Sequence, residues 1–426
     1  MLCQYGEQLI CFKLWFFLFN SGIIRYYKIA LYISEQHFLI ISNTERGKNL
    51  KTIQGVYGSA TIFTTDHPET AIDPYAVSQL QLLCDNEVSK NSKIRVMPDV
   101  HPGKVGTIGL TMTIQERLLP NLVGIDIGCG ITLAKIKAKT LEFQKLDTCI
   151  RENIPSGFSI RAQSHPLADS IDLSSLSCYK HIQVDKAYKS LGTLGGGNHF
   201  IEIDKDEEGG LYVVIHTGSR HLGKEVTEYY LAEGQKQLKA AGLEVPYELT
   251  YLEELLLADY LHDLDITQQF AALNREIILY ELCKKMKWKE EETYSVVHNY
   301  VDFDVDPPVL RKGAISAKAG EPVIIPINMR DGVLLGTGRG NEEWNQSAPH
   351  GSGRLYRRDT VSSLFTVSAF KSEMKGIYTS CISKDTLDEA PFVYRPADEI
   401  MEAVKDTADI TKQIKPIYNF KAGQNG

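Results

Sequence analysis

An aspartate and a cysteine three residues apart, Asp126 and Cys129, stand among glycines in the otherwise apolar stretch VGIDIGCG. An ionised carboxylate in such a run is costly unless it is paired or bound to a metal, so its partners must come from elsewhere in the chain. Among the eleven histidines, four stand out: His101 in MPDVHPG, His199 in GGGNHFIEI, His216 in VVIHTGSRH and His298 in SVVHNYVDFD. Each lies within or at the end of an apolar, strand-like run beside a turn. One histidine in such a place is ordinary; four of them with Asp126-x-x-Cys129 point to a metal site. Carboxylate, thiolate and imidazole together suit a borderline divalent ion (Mn, Fe, Co or Zn) rather than Mg or Ca. A closed structural zinc site would show paired CxxC or HxxxH spacing, whereas ligands dispersed from Asp126 to His298 are the habit of a catalytic site assembled by the fold. One thiolate can bridge two ions, so Asp126, Cys129 and three histidines can hold a dinuclear centre, and two adjacent ions clamp a phosphate.

The elements that must position these groups are legible as alternating pieces. IQGVYGSATIF, KIRVMPDV, TIGLTMTI, NLVGIDIG and ITLAKIKA read as strands among Gly-rich turns, followed by NHFIEIDKD and LYVVIHTG. A helix is expected from about Leu222 to Ala241. Apolar recurrence at three and four residues predicts one long or broken helix over Leu252–Lys287. SVVHNYVDFD, GEPVIIPINM and GVLLGTG return to strand character, and a last helix is expected from Pro396 to about Lys412. No repeat, linker or composition break divides the chain from position 52 onward, which gives one large mixed α/β (α+β) domain with central sheets flanked by helices.

The composition, 43% hydrophobic and 23% charged with a formal net charge of −8, is that of a globular protein not coated in basic surface, though a local basic groove is compatible with it. Eight scattered cysteines without a CxxC pair read as reduced thiols of a cytoplasmic protein. Residues 1–41 are rich in Phe, Tyr, Ile and Leu, but the apolar runs are too short to span a bilayer and lack a signal-peptide layout. Residues 1–49 as a whole are expected to be a non-native or disordered extension, with the native chain starting at Leu50; an amphipathic tail is the alternative. LGTLGGGN lacks the ending of a P-loop, yet beside His199 it is a plausible phosphate-facing loop.

MPDVHPG, VGIDIGCG, LGTLGGGNHFIEI, IHTGSRHLG, HNY, RKGA and HGSGR occur in the order of the RtcB family of RNA ligases, which positions 52–426 resemble. The resemblance implies a GTP- and Mn²⁺-dependent enzyme, with two ions, that joins RNA 3′-phosphate or 2′,3′-cyclic phosphate ends to 5′-hydroxyl ends in RNA repair or tRNA splicing. It implies that Asp126, Cys129, His199, His216 and His298 are the metal ligands and that His350 becomes guanylylated. Asn198, Glu202, Asn328, Gly351, Ser352, Gly353 and Lys421 are then nucleotide-binding, and Arg220, Arg311 and Lys312 meet phosphates of GTP or RNA. Here Pro326-Ile327-Asn328-Met329 replaces a PGSM-type turn, Ala348-Pro349 replaces a Thr-Cys-type pair, and Ser352 replaces a small alanine. Two other readings stand beside the ligase. One is a dinuclear phosphoesterase that acts on RNA ends without nucleotide; the other is a non-catalytic RNA-binding homologue. A partner protein that activates guanylylation is left open, and no membrane partner is expected.

Overall fold

The computed structural model describes residues 40–45, 48–64 and 72–422, with the backbone alone for 40–45, 48 and 49. Two seven-stranded sheets organise it. The first runs in the order Ile40–Glu45, Lys48–Gln54, Ser59–Thr64, Ile94–His101, Ile108–Thr113, Val309–Lys312, Asn299–Asp302. Its pairs are antiparallel except Ser59–Thr64 with Ile94–His101. The second is antiparallel throughout, in the order Lys289–Val297, Gly130–Lys137, Leu211–Thr217, Phe200–Lys205, Ala408–Lys421, Gly332–Gly338, Pro322–Asn328.

The sequence GITLAKIK explains why Gly130–Lys137 lies inside the sheet rather than at its edge. Its apolar side chains serve both faces, as a strand covered on both sides requires. Ile131 and Leu133 enter one core with Val214, Val296 and Ile324, while Ala134 and Ile136 enter another with Ile201, Val213 and Leu279. The 33-residue helix Glu254–Met286 lies across the latter core through Ile278, Leu279 and Leu282. Its earlier turns enter a third core through Tyr260, Leu264 and Phe270. Each fully buried Leu or Ile side chain contributes about 1.5–3 kcal/mol, so shared packing more than intrinsic propensity holds this helix.

His298 is the single residue between Lys289–Val297, an edge of the second sheet, and Asn299–Asp302, an edge of the first. Its N–H donates to the Cys129 carbonyl (2.9 Å), and its own carbonyl accepts from Gly313 N–H (2.6 Å). The chain therefore crosses between sheets at a candidate ligand.

The fold is mixed α/β, as the alternation indicates. The helix expected at Leu222–Ala241 is Arg220–Ala240, and the long one is unbroken. Two expectations fail. NLVGIDIG is a helical turn, Pro120–Val123, followed by an irregular turn rather than a strand. The last helix spans only Ala397–Ala403, and Ala408–Lys421 is a 14-residue strand in the middle of the second sheet. Pro416 argues against a central strand because it has no N–H to donate; a register shift between Pro416 and Tyr418 accommodates it. Of the extension 1–49, residues 1–39, 46 and 47 lie outside the described residues, and Ile40–Glu45 pairs with Lys48–Gln54. Among the described residues, no helix is long and apolar enough to cross a membrane.

Candidate active site

Cys129 ends the turn that begins at Gly124 and leads into strand Gly130–Lys137. That turn is fixed from three directions. Its own Cys129 N–H donates to the Asp126 carbonyl (3.2 Å), and Gly128 N–H donates to the Asn299 carbonyl (2.8 Å). The Asn299 side chain donates to the Asp126 carbonyl (3.2 Å). The wholly buried Arg275, on the long helix, donates to the carbonyls of Gly128 (2.8 Å) and Thr217 (2.9 Å). Gly128 has φ +69°, and a Cβ there would lie 2.8 Å from the Ala271 Cβ, so the helix approaches this closely only over glycine. His199 precedes strand Phe200–Lys205, and His216 lies near the end of Leu211–Thr217. The registers Gly130 opposite Thr217 and Phe200 opposite His216 bring the three strand ends together.

The thiol of Cys129 lies 3.3 Å from His216 Nε2 and 3.6 Å from His199 Nε2. His199 Nε2 is 3.0 Å from Asp126 Oδ2, and His216 Nε2 is 3.4 Å from His298 Nε2. Two groups result, Cys129–His216–His298 and Asp126–Cys129–His199; in each, the ligand atoms lie within 4.8 Å of one another. The thiol belongs to both. His199 and His216 use Nδ1 against the backbone carbonyls of Leu194 (2.9 Å) and Asn198 (3.1 Å), which leaves Nε2 as a lone pair facing the cluster.

Burial, assisted by neighbouring imidazoles, holds His216 and His298 well below the usual imidazole range, so both stay neutral. Burial and the Asp126 carboxylate push the Cys129 thiol well above its ordinary value. For Asp126, the upward pull of burial is outweighed by His199 and Arg220, and its pKa falls to about 2. The neutral imidazoles of His216 and His298, the His199 ring, a carboxylate and a shared sulfur converge in a donor set that fits borderline divalent cations. A cation there would also favour the thiolate.

His350 follows the short strand Ser347–Pro349, and its ring centroid lies 4.8 Å from that of His298. Its Nδ1 is 2.6 Å from Oδ2 of Asp99, a wholly buried residue of strand Ile94–His101. With Nδ1 donating to that carboxylate, Nε2 is the nitrogen left for chemistry. His101 bonds the Asp99 carbonyl through Nδ1 (2.8 Å), and burial lowers its pKa to about 4.

A cavity adjoins the cluster, with His350, Glu202, Asn328, Ser352, Arg358 and Lys421 in its wall. Its cations are gathered by the buried Glu389, which meets Lys421 Nζ (2.7 Å), Arg358 Nη1 (2.7 Å), Arg354 Nη1 (3.2 Å) and the Tyr394 hydroxyl (2.5 Å). Burial would raise the Glu389 carboxyl, but Lys421, Arg358 and Arg354 outweigh it and hold it well below the usual range. Glu202 accepts from Asn419; burial pushes its pKa up to about 8 against the pull of Asn419 and Lys421.

The residues expected at the site fall into distinct places. Asp126, Cys129, His199, His216 and His298 are brought together, with His350 beside them. Asn198 is exposed at the cavity mouth, and Gly351 and Gly353 join its wall. Asn328 and Ser352 also face the cavity, but their side chains serve the local backbone: Asn328 Oδ1 accepts from Arg330 and Asp331 N–H, and Ser352 Oγ donates to the Ile327 carbonyl. Arg220 Nη1 lies 3.4 Å from His199 Nδ1. Arg311 is not brought to the site. It is wholly buried, with its guanidinium on Asp302 (2.7 Å), Ser347 (2.9 Å) and Tyr300 (3.1 Å). Lys312, its neighbour on the strand, is buried beneath the ligand turn with Nζ on the Asn121 carbonyl (2.8 Å), and burial lowers its pKa to about 8.

Sequence reasoning missed Asp99, Arg275 and the Glu389 cluster. Asp99 carried a signal, a carboxylate inside the apolar run KIRVMPDV. Arg275 looked like any helical arginine, and Glu389 lies in an irregular segment.

Comparison with known proteins shows the family. The family model described as tRNA-splicing ligase RtcB matches residues 86–177 and 168–422. The RNA-splicing ligase RtcB of Escherichia coli K12 is 30% identical over 368 residues, covering 77% of this chain and 90% of that protein. The tRNA-splicing ligase RtcB of Pyrobaculum aerophilum is 27% identical over 415 residues, covering 75% and 85%. The family match extends from the strands that carry Asp99 to the strand that carries Lys421, and the chain belongs to the RtcB family.

Proposed function

We propose that this chain is a 3′-phosphate/5′-hydroxyl RNA ligase. It would use GTP and two Mn²⁺ ions, for which Asp126, Cys129 and His199 would supply one ligand group and Cys129, His216 and His298 the other. The single observation that carries the reading is the Cys129 sulfur shared by two ligand groups beside a histidine whose Nδ1 is already engaged. When bound, the ions neutralise charge on the reacting phosphates.

The chain's own groups do the rest. Asp99 fixes the tautomer and direction of His350, as a carboxylate behind a catalytic imidazole does. His350 Nε2 attacks the α-phosphorus of GTP; an N–P bond forms as the bond to pyrophosphate breaks. Lys421 and Arg358, balanced by Glu389, supply positive charge along the nucleotide. An oxygen of the RNA 3′-phosphate then takes the GMP from His350, and the 5′-hydroxyl displaces GMP to close the strand. A cyclic phosphate end is first opened by water. The buried thiol suits the reducing cytoplasm.

The test is labelling of purified protein with α-³²P-GTP and Mn²⁺, beside α-³²P-ATP and a His350→Ala variant. An acid-labile band that requires GTP and His350 is expected. Absence of label from either nucleotide in a protein carrying its metals would sink nucleotidyl transfer and favour the phosphoesterase.

A further inference from the structure

Phe158 stands almost bare at the flank of the ligand cluster. It is 89% exposed, more than any other large hydrophobic side chain among the described residues. Single exposed apolar residues are common and need no explanation, but this one is held unusually firmly. Leu194 N–H donates to the Pro155 carbonyl (2.9 Å), Gly157 N–H to the Gly195 carbonyl (3.0 Å) and Ser159 N–H to the Ser156 carbonyl (3.1 Å). Arg220 Nη2 donates to the Gly157 carbonyl (3.3 Å), while Nη1 of the same guanidinium lies 3.4 Å from His199. The ring thus projects from a loop fixed one guanidinium away from a candidate metal ligand.

The ground beside it is open. At Gly195 a Cβ would lie 1.9 Å from Arg220 Nη1, so glycine is what admits the guanidinium; at Gly197 a Cβ would meet nothing within 4 Å. A free aromatic face, a cation and the half-buried glycines Gly196 and Gly197 match what single-stranded nucleic acid needs: a surface for one base, charge for its phosphate and room for the backbone. Neither Phe158 nor Arg220 belongs to the wall of the nucleotide cavity, so this flank is free when that cavity is filled.

We infer that Phe158 is the stacking platform for a base of the single-stranded RNA whose end lies at the ligand cluster. The strand crosses the Gly195–Gly197 loop with a phosphate facing Arg220. The inference rests on the RNA-joining reading and adds a binding position to it.

The experiment compares full-length wild type, Phe158→Ala and Phe158→Trp. Phe158→Ala raises the KM for RNA on the order of ten-fold, the loss expected for one stacked base, and leaves GMP loading from GTP unchanged; Phe158→Trp restores the KM. An unchanged KM overturns the inference, and so does an equal loss of GMP loading, which would make the loop a prop for the metal cluster. Tryptophan fluorescence of Phe158→Trp, compared with wild type, gives a readout that needs no turnover. Quenching by an oligoribonucleotide ending in 3′-phosphate places the upstream strand on the platform, quenching by one starting with 5′-hydroxyl places the downstream strand there, and quenching by neither overturns it. If wild type seals no RNA, the functional reading fails separately while the fluorescence still decides the platform.

Discussion

The ligand cluster and the charged wall of the nucleotide cavity meet at His350, yet they are built on different terms. In the cluster, position follows from backbone. Cys129, His199 and His216 sit at or near the ends of hydrogen-bonded strands, and His298 sits where one sheet passes into the other. In the wall, position follows from charge. Arg354 and Arg358 come from one stretch and Lys421 from the last strand, and the one carboxylate of Glu389 holds them together. A register resists change by one substitution, whereas a charge cluster turns on a single residue. That contrast orders what each substitution should do.

Cys129→Ala removes the one atom common to both ligand groups, so both ions and all labelling by GTP are lost together. Elemental analysis of purified protein checks this, and retention of one ion would break the picture of a shared sulfur. His350→Ala also abolishes labelling but keeps the metal content, which separates the nucleophile from the cluster beside it. Asp99→Asn leaves metals and fold in place and slows GMP loading by about 10²–10⁴-fold, the range for losing the carboxylate behind a catalytic imidazole. A rate within two-fold of wild type would show that His350 is oriented by its other neighbours.

Glu389→Gln addresses the wall alone. Breaking a buried ion pair costs about 3–5 kcal/mol, and here three cations lose their common partner, so stability falls and the KM for GTP rises while metal content holds. The pH dependence has a definite sign. The native Glu389 carboxyl is held below its unfolded value of about 4.3, so its contribution is complete above that pH and fades as pH falls toward the depressed native value. Melting temperatures of wild type and Glu389→Gln should therefore converge on acidification below about pH 4; a constant gap down to pH 2 would contradict the assignment.

The same contrast explains what the sequence disclosed. Carboxylate, thiol and imidazoles among apolar residues are visible because a strand has no ordinary use for them, and the two long helices follow from apolar periodicity. Of the charged wall only Lys421 was legible, through the family resemblance. Two arginines and a glutamate in or beside short helices look like surface residues until the fold brings them together. Arg311 misled in the opposite sense: a cation near the motifs suggested phosphate, but the strand turns it inward onto Asp302 while Lys312 faces the other way. The segment before Lys421 misled as well: the helix expected to reach about Lys412 stops at Ala403, and a strand begins at Ala408.

The passage of the chain through His298 also has a consequence for the order of events during synthesis. The Cys129–His216–His298 group does not exist until the ribosome has moved well past His298. Strand Ala408–Lys421, made long after its neighbour Phe200–Lys205, must still insert beside it to complete the second sheet. The share of the cavity wall that Lys421 supplies is therefore the last part of the site to be made.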